Sequence, residues 1–245
     1  MDYNHQLRPL QVNAKTGEPF LRLKNHPNII LTPPRDEDAP AFLPFLNDER
    51  VCYWLGGPPY PYTLEHSKTF LGTVSGAAQD ILRQLEDAKA ENKPIIVDGC
   101  PVRFIREVKP DGTDVFIGDL GVMRCMHGEL MGNDSVDWDN KALREQENNA
   151  RAAGDPSIIW SMGNFLSPQY HGQGIMTDVV NTLLHEWCIP RMNVQYMWVS
   201  TFTGNIGSVR VFEKNGFVMI KTREEHTEAK GKIRGLNLLE WRLQL

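Results

Sequence analysis

The chain lacks an excess of basic charge, long apolar runs and closely spaced cysteines, and each shortage removes a class of function. Lys and Arg number 26 against 31 Asp and Glu, a net charge of -5, so the composition offers no broad basic face for nucleic-acid phosphates. No stretch approaches the ~18 apolar residues of a membrane span, and Met1 to Thr16 has no apolar signal core. Neither a membrane partner nor export is expected. Cys52, Cys100, Cys125 and Cys188 are far apart and fit no zinc or redox spacing, so reduced, mostly buried thiols and no bound metal are expected. That points to the cytoplasm, with the nucleus left open. Two phosphate-binding loops are also missing: no Gly-Lys-Ser/Thr sequence closes a triphosphate loop, and no G-x-G-x-x-G opens a dinucleotide fold.

What remains is ordinary globular material, 41% hydrophobic and 23% charged over 245 residues, enough for one substantial core. Residues 1–28 are polar and weakly patterned, with a possible strand at Phe20 to Leu23, and read as an N-terminal extension. Ile29 to Leu31 reads as a strand, and Asp36-Glu37-Asp38 supplies first-turn acids for a helix carrying Phe42, Leu43, Phe45 and Leu46. Thr63 opens a long helix from Leu64 to about Ala90, with Gly76 as a point where it could break. Pro94 to Val97, Val102 to Val108 and Val115 to Met123 read as an antiparallel meander separated by Asp98-Gly99 and Pro110-Asp111-Gly112 turns. Gly128 to Pro156 is long, polar and acidic, and reads as a mobile insertion with at most a short helix near Lys141 to Ala152.

Beyond it the pattern is strand (Ser157 to Leu166), glycine loop, helix closing at Pro190, strand (Val194 to Ser200), helix (Ile206 to Asn215), and strands Phe217 to Thr222 and Leu236 to Leu245. The glycine loop is the informative element. In Gln169-Tyr170-His171-Gly172-Gln173-Gly174, two glycines spaced by one residue let the backbone turn tightly just before a helix. The first N–H groups of that helix are unpaired and its dipole end is positive. An anionic ligand or a plain strand-to-helix turn both fit this geometry.

The order Gln-x-x-Gly-x-Gly resembles the acyl-CoA cradle of the GNAT superfamily of N-acyltransferases. About thirty residues on, Asn205, Ser208 and Glu213-Lys214-Asn215-Gly216-Phe217 match the Asn-x-x-Ser and Glu-Lys-x-Gly-Phe pattern of its Rim-type, ribosomal-protein N-terminal acetyltransferase branch. Ile30-Leu31-Thr32-Pro33, Asp38-Ala39, Asn47-Asp48 and Tyr60-Pro61-Tyr62-Thr63 are similar to the front of that fold. The resemblance implies an α+β GNAT fold over residues 29–245: a mostly antiparallel twisted sheet, splayed at the acyl-CoA site and flanked by helices.

It also implies a reaction, transfer of an acetyl group from acetyl-CoA to a primary amine, either a protein N-terminus or a small molecule. The pyrophosphate would lie over the backbone of Gln169, Tyr170, His171, Gly172, Gln173 and Gly174 and the helix start at Ile175 and Met176. Pantetheine would bond to the main chain of Asn164, Phe165 and Leu166, facing Val199 and Ser200. Asn205 and the helix carrying Ser208, Phe212 and Lys214 would line its other side, although Asn205 is equally well suited to cap that helix. Many relatives donate the thiolate's proton from a tyrosine at the position of Phe212, which has no proton to give, so the role passes to Ser208. The strand before the cradle carries no carboxylate, and Asp119, Glu225 and His226 are the candidate bases, with an ordered water as the alternative. Walls for the acceptor are expected from Trp54 to Tyr62, the surroundings of Asp119, and the Thr222 to Gly235 hairpin. A monomer or homodimer is expected, and an acyl-CoA-binding module with little catalysis stays open as a second reading.

Overall fold

Local rules read from the sequence set the first elements. A computed structural model describes residues 4–132 and 136–244. Residues 1–3 of the expected extension, 133–135 of the expected insertion, and Leu245 at the end of the expected last strand lie outside them. The chain lays down β1 (Gln11–Val12), β2 (Pro19–Arg22) and β3 (Ile29–Thr32), then a 3-10 turn at Asp36–Phe42 running into α1 (Leu43–Leu46) and α2 (Glu49–Cys52). In α3 (Leu64–Asp87) the cap is reciprocal: the His66 N–H donates to Thr63 Oγ1 and the Thr63 N–H to His66 Nδ1, two orphan donors satisfied at once. Exposed Gly76 does not break it.

There follow β4 (Phe104–Val108), β5 (Asp114–Arg124), α4 (Lys141–Asn149), β6 (Trp160–Leu166) and α5 (Ile175–Thr182). After them come α6 (Ile189–Met192), β7 (Tyr196–Phe202), α7 (Ile206–Glu213), β8 (Val218–Ala229) and β9 (Lys232–Arg242). Pro94 to Val97 forms no strand: the Val97 N–H donates to the Arg191 carbonyl at the end of α6. The helix expected to stop at Pro190 runs on to Met192. A π-type turn at Leu183–Cys188 places Pro190 in the first turn of α6, where a missing N–H costs nothing, and Asn193 ends the helix at φ 53°.

The strands form one open sheet in the order β1-β2-β3-β4-β5-β6-β7-β9-β8. It is antiparallel throughout except between β6 and β7. One face packs on α5 and the turn that continues it through Val179, Val180, Leu183, Leu184 and Trp187, all fully buried. The other face carries two smaller cores. Phe42, Phe104 and Phe116 pack edge-on or tilted beneath α1 to α3, with ring centroids 4.9–5.4 Å apart. Cys125, Leu130, Trp198, Phe202, Leu236 and Leu238 form the third core over β7 and β9.

Segment 128–156, expected to be mobile, supplies that third core with Leu130, Met131 and Val136. Asn148 of α4, 2% exposed, holds it down by exchanging two 2.9 Å hydrogen bonds with the main chain of Ile159. Residues before β3 are equally engaged. Gln6 donates to the Ala88 and Lys93 carbonyls, and β1 and β2 extend the sheet.

Candidate active site

β6 and β7 share one registered pair, Trp160↔Met197. Beyond it the two parallel strands diverge toward their C-terminal ends, Leu166 and Phe202, leaving main-chain groups facing a gap instead of each other. Such groups demand partners. The gap leads to the N-termini of two helices, because Leu166 feeds the glycine loop before α5 and Phe202 feeds α7.

In the loop, Gly172 and Gly174 have φ of +74° and +79°, a region where side chains are strained. A methyl group at Gly172 would meet nothing within 4 Å, so the surface there is open to a ligand. Ile175 and Met176 point into the core, leaving only their backbone to the cradle. Three side chains of the loop are held by hydrogen bonds. Tyr170 Oη donates to Glu107 Oε2 at 2.6 Å, and burial together with that bond pushes the phenol up to about 12. His171 Nε2 donates to the Leu166 carbonyl at 2.8 Å, and Gln173 Nε2 donates to the Gln169 carbonyl at 2.8 Å. Gln169 itself is exposed.

The cradle is braced from a place the sequence did not reveal. Asp178, in the first turn of α5 and 4% exposed, accepts from the Asn25 main chain and side chain and from His26 Nδ1 at 2.8–3.0 Å. The other ring nitrogen of His26 donates to the Gln173 carbonyl at 3.1 Å. Asn25, His26, Gly174, Asp178 and Lys214 line a hollow of about 300 Å³ beside the cradle. Exposed Lys214 brings an ammonium to that edge.

Asn205 is the cap of α7, its Oδ1 accepting from the Ser208 N–H at 3.2 Å. Ser208 stands half-buried in the first turn. Phe212 is 1% exposed and packs against Phe217 at 5.2 Å in the main core. It is therefore part of the packing beneath α7. On β6, Phe165 leans on Phe42 and Phe116, while Asn164 is half-buried and Leu166 buried in the main core.

The candidate bases separate cleanly. Asp119 is 4% exposed, and both carboxylate oxygens accept from Arg103, at 2.7 and 2.8 Å. Arg103 lies in turn over the Phe70 ring at 5.3 Å. Glu225 is exposed on β8, whereas the next residue, His226, turns inward with its side chain 2% exposed. The β8–β9 register slips between Arg223 and Thr227, and within that irregularity Glu224 and Glu225 both stay exposed while His226 turns in.

Of the three expected walls, the loop at 54–62 and the β8–β9 hairpin come together. Lys230 Nζ donates to the Cys52 carbonyl and Arg234 Nη1 to the Tyr53 carbonyl at 3.1 Å, and the Arg234 guanidinium covers the rings of Tyr53, Trp54 and Phe202 at 4.1–5.6 Å. Between this loop and the β8–β9 hairpin lies a hollow of about 420 Å³ lined by Gly56 to Tyr60 and Glu228 to Lys230.

An open, mostly antiparallel sheet that splits beside a glycine loop and two helix N-termini defines an acyl-CoA-dependent acyltransferase. The sequence matches the acetyltransferase (GNAT) domain over residues 28–218, well over half its length, and the chain belongs to that family. Solved structures with the same fold include a GNAT-family acetyltransferase from Bacillus anthracis, 11% identical with a TM-score of 0.59, covering 91% of this chain and 98% of that one. Mycobacterium smegmatis RimJ in complex with CoA-disulfide is 16% identical with a TM-score of 0.54, covering 92% and 86%. The ribosomal-protein-S5-alanine acetyltransferase from Vibrio fischeri is 14% identical with a TM-score of 0.54, covering 91% and 96%.

Proposed function

We propose that this chain transfers the acetyl group of acetyl-CoA directly to a primary amine, a protein N-terminus or a small-molecule amine, with no acyl-enzyme. The observation that carries the reading is the single-pair junction of β6 and β7, with its gap leading to the glycine cradle. The cradle and Lys214 would hold the phosphates, and the main chain of Asn164 to Leu166 would hold the pantetheine arm. The thioester then sits near the start of α7. The amine nitrogen attacks the carbonyl carbon, the C–S bond breaks, and the thiolate needs a proton. Ser208 is the residue assigned to protonate or hydrogen-bond that sulfur, because Phe212 carries no proton and lies in the core.

Assaying free CoA release over a panel of free-N-terminus peptides and simple primary amines tests the reading. Ser208→Ala is expected to lower kcat 10-fold or more while acetyl-CoA binding holds, the general acid effect running at roughly 10²–10⁴. Unchanged turnover at saturating acetyl-CoA removes Ser208 from the mechanism. A second reading, an acyl-CoA-binding regulatory module, is favoured by Phe212 standing where many relatives carry the tyrosine. Tight acetyl-CoA binding with no turnover across the panel would decide for it.

A further inference from the structure

The face of the sheet opposite α5 holds a buried polar cluster that the donor half of the reaction does not use. His127 follows β5, Glu129 begins the segment that leads to α4, Ser200 lies on β7, and His226 on β8. His127 Nδ1 is 3.1 Å from Glu129 Oε1, His127 Nε2 is 2.8 Å from Ser200 Oγ, and His226 Nε2 is 3.1 Å from Glu129 Oε1. Lys141 of α4 donates to Glu129 Oε2 at 2.6 Å and to Glu145 Oε1 at 2.6 Å. The Glu129 side chain is 1% exposed, and Trp138 lies against the His226 ring at 5.1 Å.

The bonds fix the chemistry of each ring. An ionised carboxylate only accepts, so both histidines donate to Glu129, which leaves His127 Nε2 as a lone pair facing Ser200. Burial alone would raise the Glu129 carboxyl, but hydrogen bonds from His127 and Lys141 outweigh it and hold the group down at about 2. It therefore stays an anion behind the His127 ring across the working range. Ser200 sits on the strand that borders the gap, on the same face as Trp198 and Phe202 by strand alternation. His127 keeps 24% of its side chain exposed, whereas His226 keeps 2%. His226 Nδ1 is buried without a hydrogen-bond partner among the described residues, a polar atom that calls for a bound polar group.

We infer that His127 is the general base that deprotonates the incoming amine, with Glu129 as its positioning residue. The inference rests on the transferase reading above. The arriving ammonium donates to Nε2 in place of the neutral Ser200 hydroxyl, a charge-assisted bond being about twice as strong. It leaves its proton on the ring, and the nitrogen lone pair attacks the thioester carbon. Glu129, already anionic, stabilises the imidazolium without taking its proton. The groups around His127 are Glu129 on its own segment, Lys141 and Glu145 on α4, Ser200 on β7 and His226 on β8. His127, Glu129 and His226 also have the spacing of a cation site, but the Lys141 ammonium already occupies the carboxylate. Ser200, His127 and Glu129 are spaced like a nucleophile triad as well, and the test separates that role.

The experiment uses the full chain with acetyl-CoA and, as acceptors, a mixture of free-N-terminus tripeptides and, separately, ethanolamine. His127→Gln is expected to lower kcat about 10²-fold or more at pH 7, with thermal stabilisation by acetyl-CoA unchanged. The deficit should shrink toward pH 9.5, where the amine loses its proton unaided. Glu129→Gln should lower kcat and leave KM for acetyl-CoA in place. Turnover by His127→Gln within threefold of wild type, or a deficit equal at every pH, overturns the assignment. So does an acetyl adduct on wild-type Ser200 together with loss of turnover in Ser200→Ala, or a stoichiometric zinc ion whose removal abolishes activity. Wild-type protein that binds acetyl-CoA yet acetylates neither probe overturns the transferase reading and this inference with it. Wild-type turnover retained by His127→Gln overturns the inference alone.

Discussion

Replacing Asp119 by Asn separates a structural carboxylate from a catalytic one. Asp119 and Arg103 keep 6% and 17% of their side chains exposed and meet through two hydrogen bonds of 2.7 and 2.8 Å. Burial alone would lower the Arg103 pKa, but the Asp119 charge and bonds outweigh it and raise the group, so Arg103 is a cation whose partner is this carboxylate. Asn keeps the shape and one acceptor but removes the charge. Breaking such a pair from one side costs about 3–5 kcal/mol, because a buried charge is left uncompensated. The Phe70 ring 5.3 Å from the guanidinium is present in both proteins and cancels from the difference. At about 2–4 °C per kcal/mol for a chain of this size, the Tm should fall by ~6–20 °C. Arg103→Met with Asp119→Leu removes both charges and should recover most of the loss. The assay is thermal unfolding alongside kcat measured well below the transition, where Asp119→Asn should remain within about tenfold of wild type. A Tm within ~2 °C of wild type combined with loss of turnover would refute the reasoning and make Asp119 the base.

Further tests follow from the cradle and from Glu129. Gly174→Ala places a side chain at φ +79° with nothing nearer than His26 Cε1 at 3.9 Å, so it should cost the ~1–2 kcal/mol of left-handed strain and no clash. The Tm drop and a weaker stabilisation by acetyl-CoA are read in one thermal-shift titration, with exposed Gly57→Ala, which meets nothing within 4 Å, as the unaffected control. Glu129 has its folded pKa depressed from 4.5 to about 2, so its contribution is present above pH ~4.5 and is lost as pH falls through ~2. The stability gap between wild type and Glu129→Gln, from denaturant titrations, should narrow over that window. A gap constant with pH would contradict the depressed carboxyl.

The backbone features of the proposed donor cradle were legible because they are local. Gly172 and Gly174 carry a backbone requirement visible in residue type alone, Asn205 announces a helix start by its cap, and the apolar periodicity of Ile175 to Trp187 marks the helix behind the cradle. The long hairpin was only half legible. β8 spans 12 residues with only Ala229 buried, and its second half is polar or charged, so an edge strand of that composition carries no sustained hydrophobic alternation to betray it. Segment 128–156 was illegible for the opposite reason: its polarity suggested solvent, yet Glu129 is bonded by His127 just before the segment, and Asn148 is bonded to the main chain of Ile159 just after it.

A polar segment of this kind has two physical fates, and the sequence does not choose between them. Either its groups are satisfied by water and it stays loose, or they find buried partners and it becomes specific. Every partner that decides the matter here is distant in sequence: Ser200 is 73 residues from His127, and His226 is 97 from Glu129. The brace on the cradle follows the same rule, with His26 and Asp178 152 residues apart. Spacing motifs therefore point to the proposed donor cradle, where helix ends and glycines supply the chemistry. The proposed acceptor side is assembled by the sheet order, which brings the segment after β5 over β7 and β8, and its residues become readable only once that order is known.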